Sequence, residues 1–353
     1  MTRPYFFFCA LLLCASLQGM ALLLPANLPA ADAKPKAADL VEDGQTIDLS
    51  TPHYQQLFDE LRTDHNFSQT ELDNIFAGVT IRKRVLELMD MQWEAKPYYV
   101  YYPRFITNEM VRTARKMLKQ HNELFNRIEK ELGVEREIVV AIWGIESKFG
   151  KNKGYFDLFQ TLNTMFDAYP RRSEFYREQL IHLLLLCREN DVDPLSVTGS
   201  YGGAFGQTQF IPSSFREYAV DFDNDGRRDV WTSVPDVLAS IANYLRRFHW
   251  TFGTPIYWEL GRELKDAELV TAYQKGRKGL VPWQLVKKVQ AADMPATPGN
   301  RKVSIVGLEL DPAKGSGIRY VAGYPNFQAI TKWNNSNRYA MAVTELAEQI
   351  KGK

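Results

Sequence analysis

Residues 196–215 read Ser-Val-Thr-Gly-Ser-Tyr-Gly-Gly-Ala-Phe-Gly-Gln-Thr-Gln-Phe-Ile-Pro-Ser-Ser-Phe. Gly199, Gly202, Gly203 and Gly206 permit tight turns and close backbone approach. A flexible linker would not carry Tyr201, Phe205, Phe210, Ile211 and Phe215 as well. The stretch is therefore expected to be an ordered loop.

The segments around it read mainly as helix. Ser68-Gln69-Thr70-Glu71 has the capping-box pattern and should open a short helix ending near Gly78. Lys96 to Arg104 is dense in tyrosine and bounded by prolines, which predicts a loop. One long helix is expected from Thr107 as N-cap to Gly133 as stop. Glu135 to Lys148 forms the next, and Ser173 is expected to cap an apolar helix through Arg188. From Thr254 to Tyr324 the pattern changes. Runs such as Ile256–Leu260 and Val303–Leu310 read as strands punctuated by Gly and Pro. Asn337 to Ile350 closes the chain as a helix. The fold class is α+β and mainly helical, with a small β subdomain.

Thr2-Arg3 followed by an apolar run from Tyr5 to Leu17 reads as a secretory signal over residues 1–33. Gly19-Met20-Ala21 and Ala31-Asp32-Ala33 are its candidate cleavage sites. An uncleaved anchor is the alternative reading. Cys14 follows Leu13, which is not the small residue a lipoprotein signal needs. Residues 25–40 are rich in Pro, Ala and Lys and read as a tether. Only Cys187 lies beyond the leader, so no internal disulfide is expected, and it reads as a small buried hydrophobe. Lys plus Arg is 43 against 42 for Asp plus Glu, a balance that leaves no electrostatic footprint for nucleic acid.

Glu146 ends an otherwise apolar run, Ala-Ile-Trp-Gly-Ile-Glu-Ser-Lys-Phe-Gly over 141–150. Apolar surroundings disfavour an ionised carboxyl. A carboxylic acid that keeps its proton can donate it to a leaving group. The structural alternative is a helix-end glutamate turned to solvent. Asp221-Phe222-Asp223-Asn224-Asp225-Gly226-Arg227-Arg228-Asp229 places carboxylates at positions 1, 3, 5 and 9 of a loop with glycine at 6, the start of an EF-hand calcium loop. Arg227, at position 7, belongs to the set through its backbone carbonyl. Thr232 stands where a bidentate glutamate is usual. Asp236 supplies the missing oxygens if the loop is longer, and competes for a capping-box role with Ser233. A structural Ca²⁺ is expected, against the plainer reading of an acidic surface turn. No zinc signature, Gly-x-Ser-x-Gly elbow or phosphate-cradling loop is present.

Four patches together resemble motifs of the membrane-bound lytic murein transglycosylase B family, in order and at similar separations. They are Gly144–Gly150, Tyr169-Pro170-Arg171-Arg172, Gly199–Ser214 and Trp333–Ala340. The acidic loop follows Gln209-Phe210-Ile211-Pro212-Ser213-Ser214, where that family carries an EF-hand-like calcium site. The resemblance covers roughly residues 41–350. It implies a lysozyme-like core and a periplasmic enzyme that cleaves the MurNAc–GlcNAc β-1,4 bond of peptidoglycan without water, leaving a 1,6-anhydro-MurNAc end. Glu146 would be the sole acid/base, with the substrate's N-acetyl group stabilising charge at C1. Ser200 would contact the N-acetyl region and Gln209 would line the same subsites. Phe210 and Tyr244 would stack or pack, and Asn334 and Tyr339 would frame the carboxyl. Tyr101 matches a cleft tyrosine, and Arg171 and Arg172 meet stem-peptide carboxylates or else hold the Pro170 turn. The chain departs from the family at Gln207-Thr208, at Phe205, and at Trp333, which offers a ring where a tyrosine is common but loses the hydroxyl.

The resulting division is leader 1–33, tether and lead-in 34–52, helical region 53–133, catalytic core 134–253 containing the loop 221–236, β subdomain 254–325, and a segment 326–353 returning to the cleft. The protein is expected to be a monomer acting on peptidoglycan glycan strands, with wall-synthesis or remodelling proteins as candidate partners. No C-terminal wall-binding module is visible, so the cleft is expected to supply the wall affinity. Three rivals remain. A muramidase would need a water-positioning group that the sequence does not offer. A non-catalytic wall-binding scaffold would have no use for Glu146. A calcium-responsive regulator is disfavoured by a single, incomplete loop.

Overall fold

Local capping chemistry sets the first helices. The computed structural model describes residues 36–90 and 96–352; the leader expected over 1–33 lies outside them. Helix α1 (Pro52–Thr63) buries Tyr54, Leu57, Phe58 and Leu61, one face of a 3.6-residue period. Helix α2 (Gln69–Ile75) opens on the expected capping box. Glu71 N–H donates to Ser68 Oγ at 3.2 Å, and Ser68 N–H to the Glu71 carboxylate at 2.7 Å. Helix α3 (Lys83–Met89) follows. The tyrosine-rich segment expected as a loop is instead helical, with α4 (Tyr98–Tyr101) running into a 3-10 turn over Tyr102–Arg104. Pro97 and Pro103 sit at or beside helix starts, where a missing N–H costs little.

The single helix expected over 107–133 is two. Helix α5 (Asn108–Gln120) starts at Thr107, whose hydroxyl accepts from Met110 N–H, and α6 (Asn122–Leu132) stops at left-handed Gly133. His121 separates them at φ −112°, ψ 30°. The break lets both lie against α7 (Arg136–Ser147). From Ile138 to Trp143 no side chain of α7 is more than 2% exposed. A helix apolar all round must be enclosed. Helices α5 and α6 do this together with α11 (Val234–Arg247) and α15 (Asn337–Lys351). Each fully buried aliphatic side chain there contributes about 1.5–3 kcal/mol.

Beyond α7, strand β1 (Phe156–Asp157) pairs antiparallel with β2 (Thr198–Gly199), and helices α8 (Leu158–Ala168) and α9 (Ser173–Glu189) form the hairpin between them. Ser173 is not the cap of α9. Its hydroxyl donates to the Phe166 carbonyl at 2.6 Å, tying the end of α8 to the next helix. Cys187 is buried and free, and burial, reinforced by Asp193, pushes its thiol up to about 12. Helix α10 (Pro212–Tyr218) closes the glycine-rich stretch.

The β subdomain is a four-stranded antiparallel sheet ordered β3-β6-β5-β4, from β3 (Tyr257–Gly261), β4 (Leu280–Val281), β5 (Val303–Glu309) and β6 (Ile318–Gly323). Two helices that the sequence reading missed, α12 (Ala267–Gln274) and α13 (Trp283–Val289), cover one face. Side chains alternate across a strand. Val303 and Ile305 join the cluster with Leu269 and Val286, while Val306 and Leu308 join the main core. A sheet buried on both faces explains the nearly unbroken apolar run. Helix α14 (Pro325–Trp333) then leads into α15.

Candidate active site

Glu146 lies one residue before the end of α7, half-buried. The helix stops because Lys148, Phe149 and Gly150 are all left-handed, at φ 50°, 59° and 83°. Two glycines of the motif have steric reasons. A Cβ on Gly144 would sit 2.8 Å from the Phe149 ring and 2.9 Å from Met110 Sδ. One on Gly150 would sit 2.4 Å from Gln207 Oε1. The turn folds back over its own helix and against the glycine loop.

Two donors converge on one carboxylate oxygen. Trp333 Nε1 donates to Glu146 Oε1 at 2.9 Å, and the Tyr339 hydroxyl donates to the same atom at 2.5 Å. They come from the end of α14 and the first turn of α15, where Ser336 caps by accepting from Tyr339 N–H at 3.2 Å. Burial, then the Glu146 charge, holds the Tyr339 hydroxyl well above the usual tyrosine value, so it remains a proton-bearing donor. Trp333 does more than offer a ring: its indole N–H donates to the carboxylate. Asn334 is the C-cap of α14, directly after Trp333. Tyr101 is buried, 5.0 Å from the Phe105 ring, and close enough to Tyr339 to raise its pKa further.

Behind Trp333 stands a wedge of rings. Tyr244 lies 4.8 Å and Phe210 5.0 Å from it, centroid to centroid. The Tyr244 hydroxyl donates to the Lys332 carbonyl at 2.6 Å, fixing the end of α14. Phe210 and Tyr244 are 3% and 6% exposed, which makes them packing groups.

The stretch over 196–215 is ordered and packed. Phe205 and Phe215 are fully buried, and Phe205 N–H donates to the Phe210 carbonyl at 2.9 Å. Ser200 Oγ accepts from Gly202 and Ala204 N–H at 3.3 and 3.1 Å, leaving its own proton for another acceptor. Gln209 sits at φ 50°, a left-handed backbone that costs a non-glycine residue free energy. Its amide nitrogen donates to the Gly206 and Lys153 carbonyls at 2.9 and 3.2 Å. Gln207, read from the sequence only as a family departure, is the clamp of the region. Buried, it accepts from Trp143 Nε1 at 2.9 Å and donates to the Trp231 carbonyl at 3.1 Å. A buried amide joining two tryptophans has no local sequence signal.

Arg171 and Arg172 lie on a short 3-10 turn after Tyr169. Arg171 is 73% exposed, 3.5 Å from Asp90, and donates to the Tyr169 hydroxyl at 3.1 Å. Arg172 lies over the Phe175 ring at 4.2 Å.

In the acidic loop, carboxylate oxygens of Asp221, Asp223 and Asp236 lie within 4.8 Å of one another. Asp236 is fully buried and accepts from Phe222 and Asp229 N–H at 2.7 and 2.8 Å. Burial pushes its pKa up against those bonds. Its backbone N–H meets the Ser233 hydroxyl at 3.3 Å, so capping and the cluster share this residue. Asp225 accepts from Arg227 N–H at 2.9 Å. Asp229 turns away, accepting from Trp231 and Thr232 N–H at 2.7 and 2.8 Å. Three converging carboxylates repel one another, and an all-oxygen set suits a hard cation. A separate cavity of about 640 Å³ lies by the opposite end of α7, lined by Glu137, Tyr257, Trp258 and Glu348, away from Glu146.

Comparison with known proteins gives this geometry its context. The family model for the transglycosylase SLT domain matches residues 50–348. Membrane-bound lytic murein transglycosylase B of Escherichia coli (strain K12) is 33% identical over 316 residues, covering 85% of this chain and 83% of that protein. The E. coli lytic transglycosylase Slt35, solved in complex with calcium, superposes with TM-score 0.74 at 31% identity, covering 89% of this chain and 96% of that one. SltB3 of Pseudomonas aeruginosa, solved in complex with NAG-anhNAM-pentapeptide, gives TM-score 0.69 at 33% identity over 85% of this chain and 79% of that one. A match of this extent to the family model, around a carboxylate to which Trp333 and Tyr339 both donate, places the chain in the transglycosylase SLT-domain family, as a peptidoglycan lytic transglycosylase.

Proposed function

We propose that Glu146 is the sole acid/base of this enzyme and that it cleaves the MurNAc-β-1,4-GlcNAc bond with formation of a 1,6-anhydro-MurNAc end. Its carboxylic acid gives its proton to the glycosidic oxygen as the C1–O bond breaks. The substrate's N-acetyl oxygen supports the positive charge at C1. The C6 hydroxyl oxygen then bonds to C1, and its proton passes to the Glu146 carboxylate, restoring the acid. No water is consumed. Most glycosidases flank the bond with two carboxylates. The observation that carries this reading is the convergence of Trp333 and Tyr339 on Glu146 Oε1, donors that orient one carboxyl without adding a second. An anhydro-sugar peptide in the structure of SltB3 supports the product class.

Ser200 and Gln209 line the N-acetyl subsites. Phe210 and Tyr244 hold Trp333, while Asn334 and Tyr101 complete the frame around Tyr339. Arg171, exposed beside Asp90, is our assignment for stem-peptide carboxylates, and Arg172 holds the turn. The acidic loop is read as a structural Ca²⁺ site. Asp221, Asp223 and Asp236 would hold the ion with Asp225 and the Arg227 carbonyl, and Asp229 braces the loop. The calcium complex of Slt35 supports that reading. Export by residues 1–33 would bring the monomer to the periplasmic wall, with 134–253 as catalytic core and 254–325 as the β subdomain. Among the described residues no helix is long and apolar enough to cross a membrane.

The test is mass spectrometry of purified peptidoglycan digested by wild type and Glu146→Gln. Anhydro-ended muropeptides from wild type alone, with the variant folded and wall-bound, are expected. Reducing-end products would replace this mechanism with hydrolysis. Turnover by Glu146→Gln would overturn the acid assignment.

A further inference from the structure

Tyr155 is 81% exposed, the most exposed large apolar side chain among the described residues. A single exposed ring needs no explanation. This one is not single. It stacks on Phe156 with centroids 4.7 Å apart and planes 24° apart. Phe156 in turn meets the edge of Tyr201 at 6.3 Å. One face of the Tyr155 ring is therefore backed by another ring, and the other is left to solvent.

The trio is continuous with the site already described. Phe156 pairs with Gly199 across β1 and β2, the residue before Ser200. Gly154 lies so close to that strand that a Cβ would fall 2.1 Å from the Gly199 carbonyl and 2.6 Å from Ser200 N. The Lys153 carbonyl accepts from the Gln209 side chain. The segment carrying Tyr155 is thus fastened to Ser200 and Gln209, the residues we assign to the N-acetyl subsites.

We propose that Tyr155, backed by Phe156 and flanked by Tyr201, is a sugar-stacking platform that extends the glycan cleft beyond Ser200 and Gln209 and favours long strands. A pyranose presents a face of C–H bonds, which packs on an aromatic ring while its hydroxyls stay in water. The Phe156 stack holds the ring in place beforehand, which lowers the ordering cost of binding. The platform rests on the proposed glycan substrate and acts on binding, not on the chemical step.

Glycan strands stripped of peptide and sorted by length are the probe. Binding is measured in the Glu146→Gln background with and without Tyr155→Ala, and turnover in the active enzyme. Loss of one stacking contact is expected to weaken long-strand binding by about fivefold. The same change raises KM for long strands with kcat held, and the effect fades on strands too short to reach the ring. Tyr155→Phe, which keeps the ring, should restore wild-type affinity. Unchanged long-strand affinity in Tyr155→Ala overturns the platform. So does an equal loss on short and long strands, or a loss confined to strands that still carry stem peptides. If wild type releases no anhydro ends, the proposed reaction fails while the binding comparison still reads the platform.

Discussion

Trp333 and Tyr339 reach Glu146 from the far end of the chain, and their removal separates orientation from acidity. Tyr339→Phe keeps the buried ring and deletes the hydroxyl that meets Oε1. The carboxyl then keeps only the Trp333 N–H of that pair and gains rotational freedom. A fall in kcat of about 10- to 100-fold is expected, with KM little changed. Trp333→Phe removes the other donor but leaves a ring against Phe210 and Tyr244, and a comparable fall is expected. Steady-state kinetics on purified glycan strands decides both. A Tyr339→Phe enzyme at the wild-type rate would mean that the hydroxyl is structural. From the sequence, Glu146 stood out because one carboxylate ended an apolar run. Of its partners, Tyr339 was expected through the family resemblance to frame the carboxyl, whereas Trp333 was legible only as a ring replacing a tyrosine. Only the fold brings an indole N–H across 187 residues of chain.

At the level of elements, local signals held where local chemistry decides. The Ser68–Glu71 box, the Thr107 cap and the Gly133 stop all form as the spacing indicates, because each needs only residues within one turn. The break at His121 was invisible, because it answers to the packing of two helices on α7. Likewise α12 and α13 are short, and the surrounding strands and glycines masked them. The glycine loop was legible as ordered, but its clamp was not. Gln207→Leu would leave the Trp143 N–H and the Trp231 carbonyl without their partner. A cost of about 1–3 kcal/mol is expected, read as a lower urea midpoint with an unchanged slope. The acidic loop gives a second test. Ca²⁺ should raise the thermal midpoint and a chelator lower it, and Asp223→Asn should blunt the response, because binding to the folded state alone stabilises it. A midpoint indifferent to Ca²⁺ would reduce the loop to its hydrogen bonds.

Over the whole molecule, the main core is rich in neutral phenols. Tyr54, Tyr98 and Tyr339 are at most 5% exposed. Burial, then the charges of Asp167, Glu345 and Glu146 respectively, raises all three well above the ordinary tyrosine value. In the unfolded chain a tyrosine loses its proton near pH 10. Below that value both states carry the proton and stability is unaffected. Above it the unfolded state releases protons that the folded state retains, so stability falls as pH rises. Each such group contributes at most about 1.4 kcal/mol per pH unit. Three together remove about 4 kcal/mol per unit, against a total stability of about 5–15 kcal/mol. The thermal midpoint should therefore hold up to about pH 10 and then drop steeply. Tyrosinate absorbance from these rings should appear together with the loss of helix. A midpoint that stays flat while the phenols titrate one by one would mean that water reaches them in the folded state. Tyr339 would then lie open to solvent beside Glu146 rather than sealed in the core.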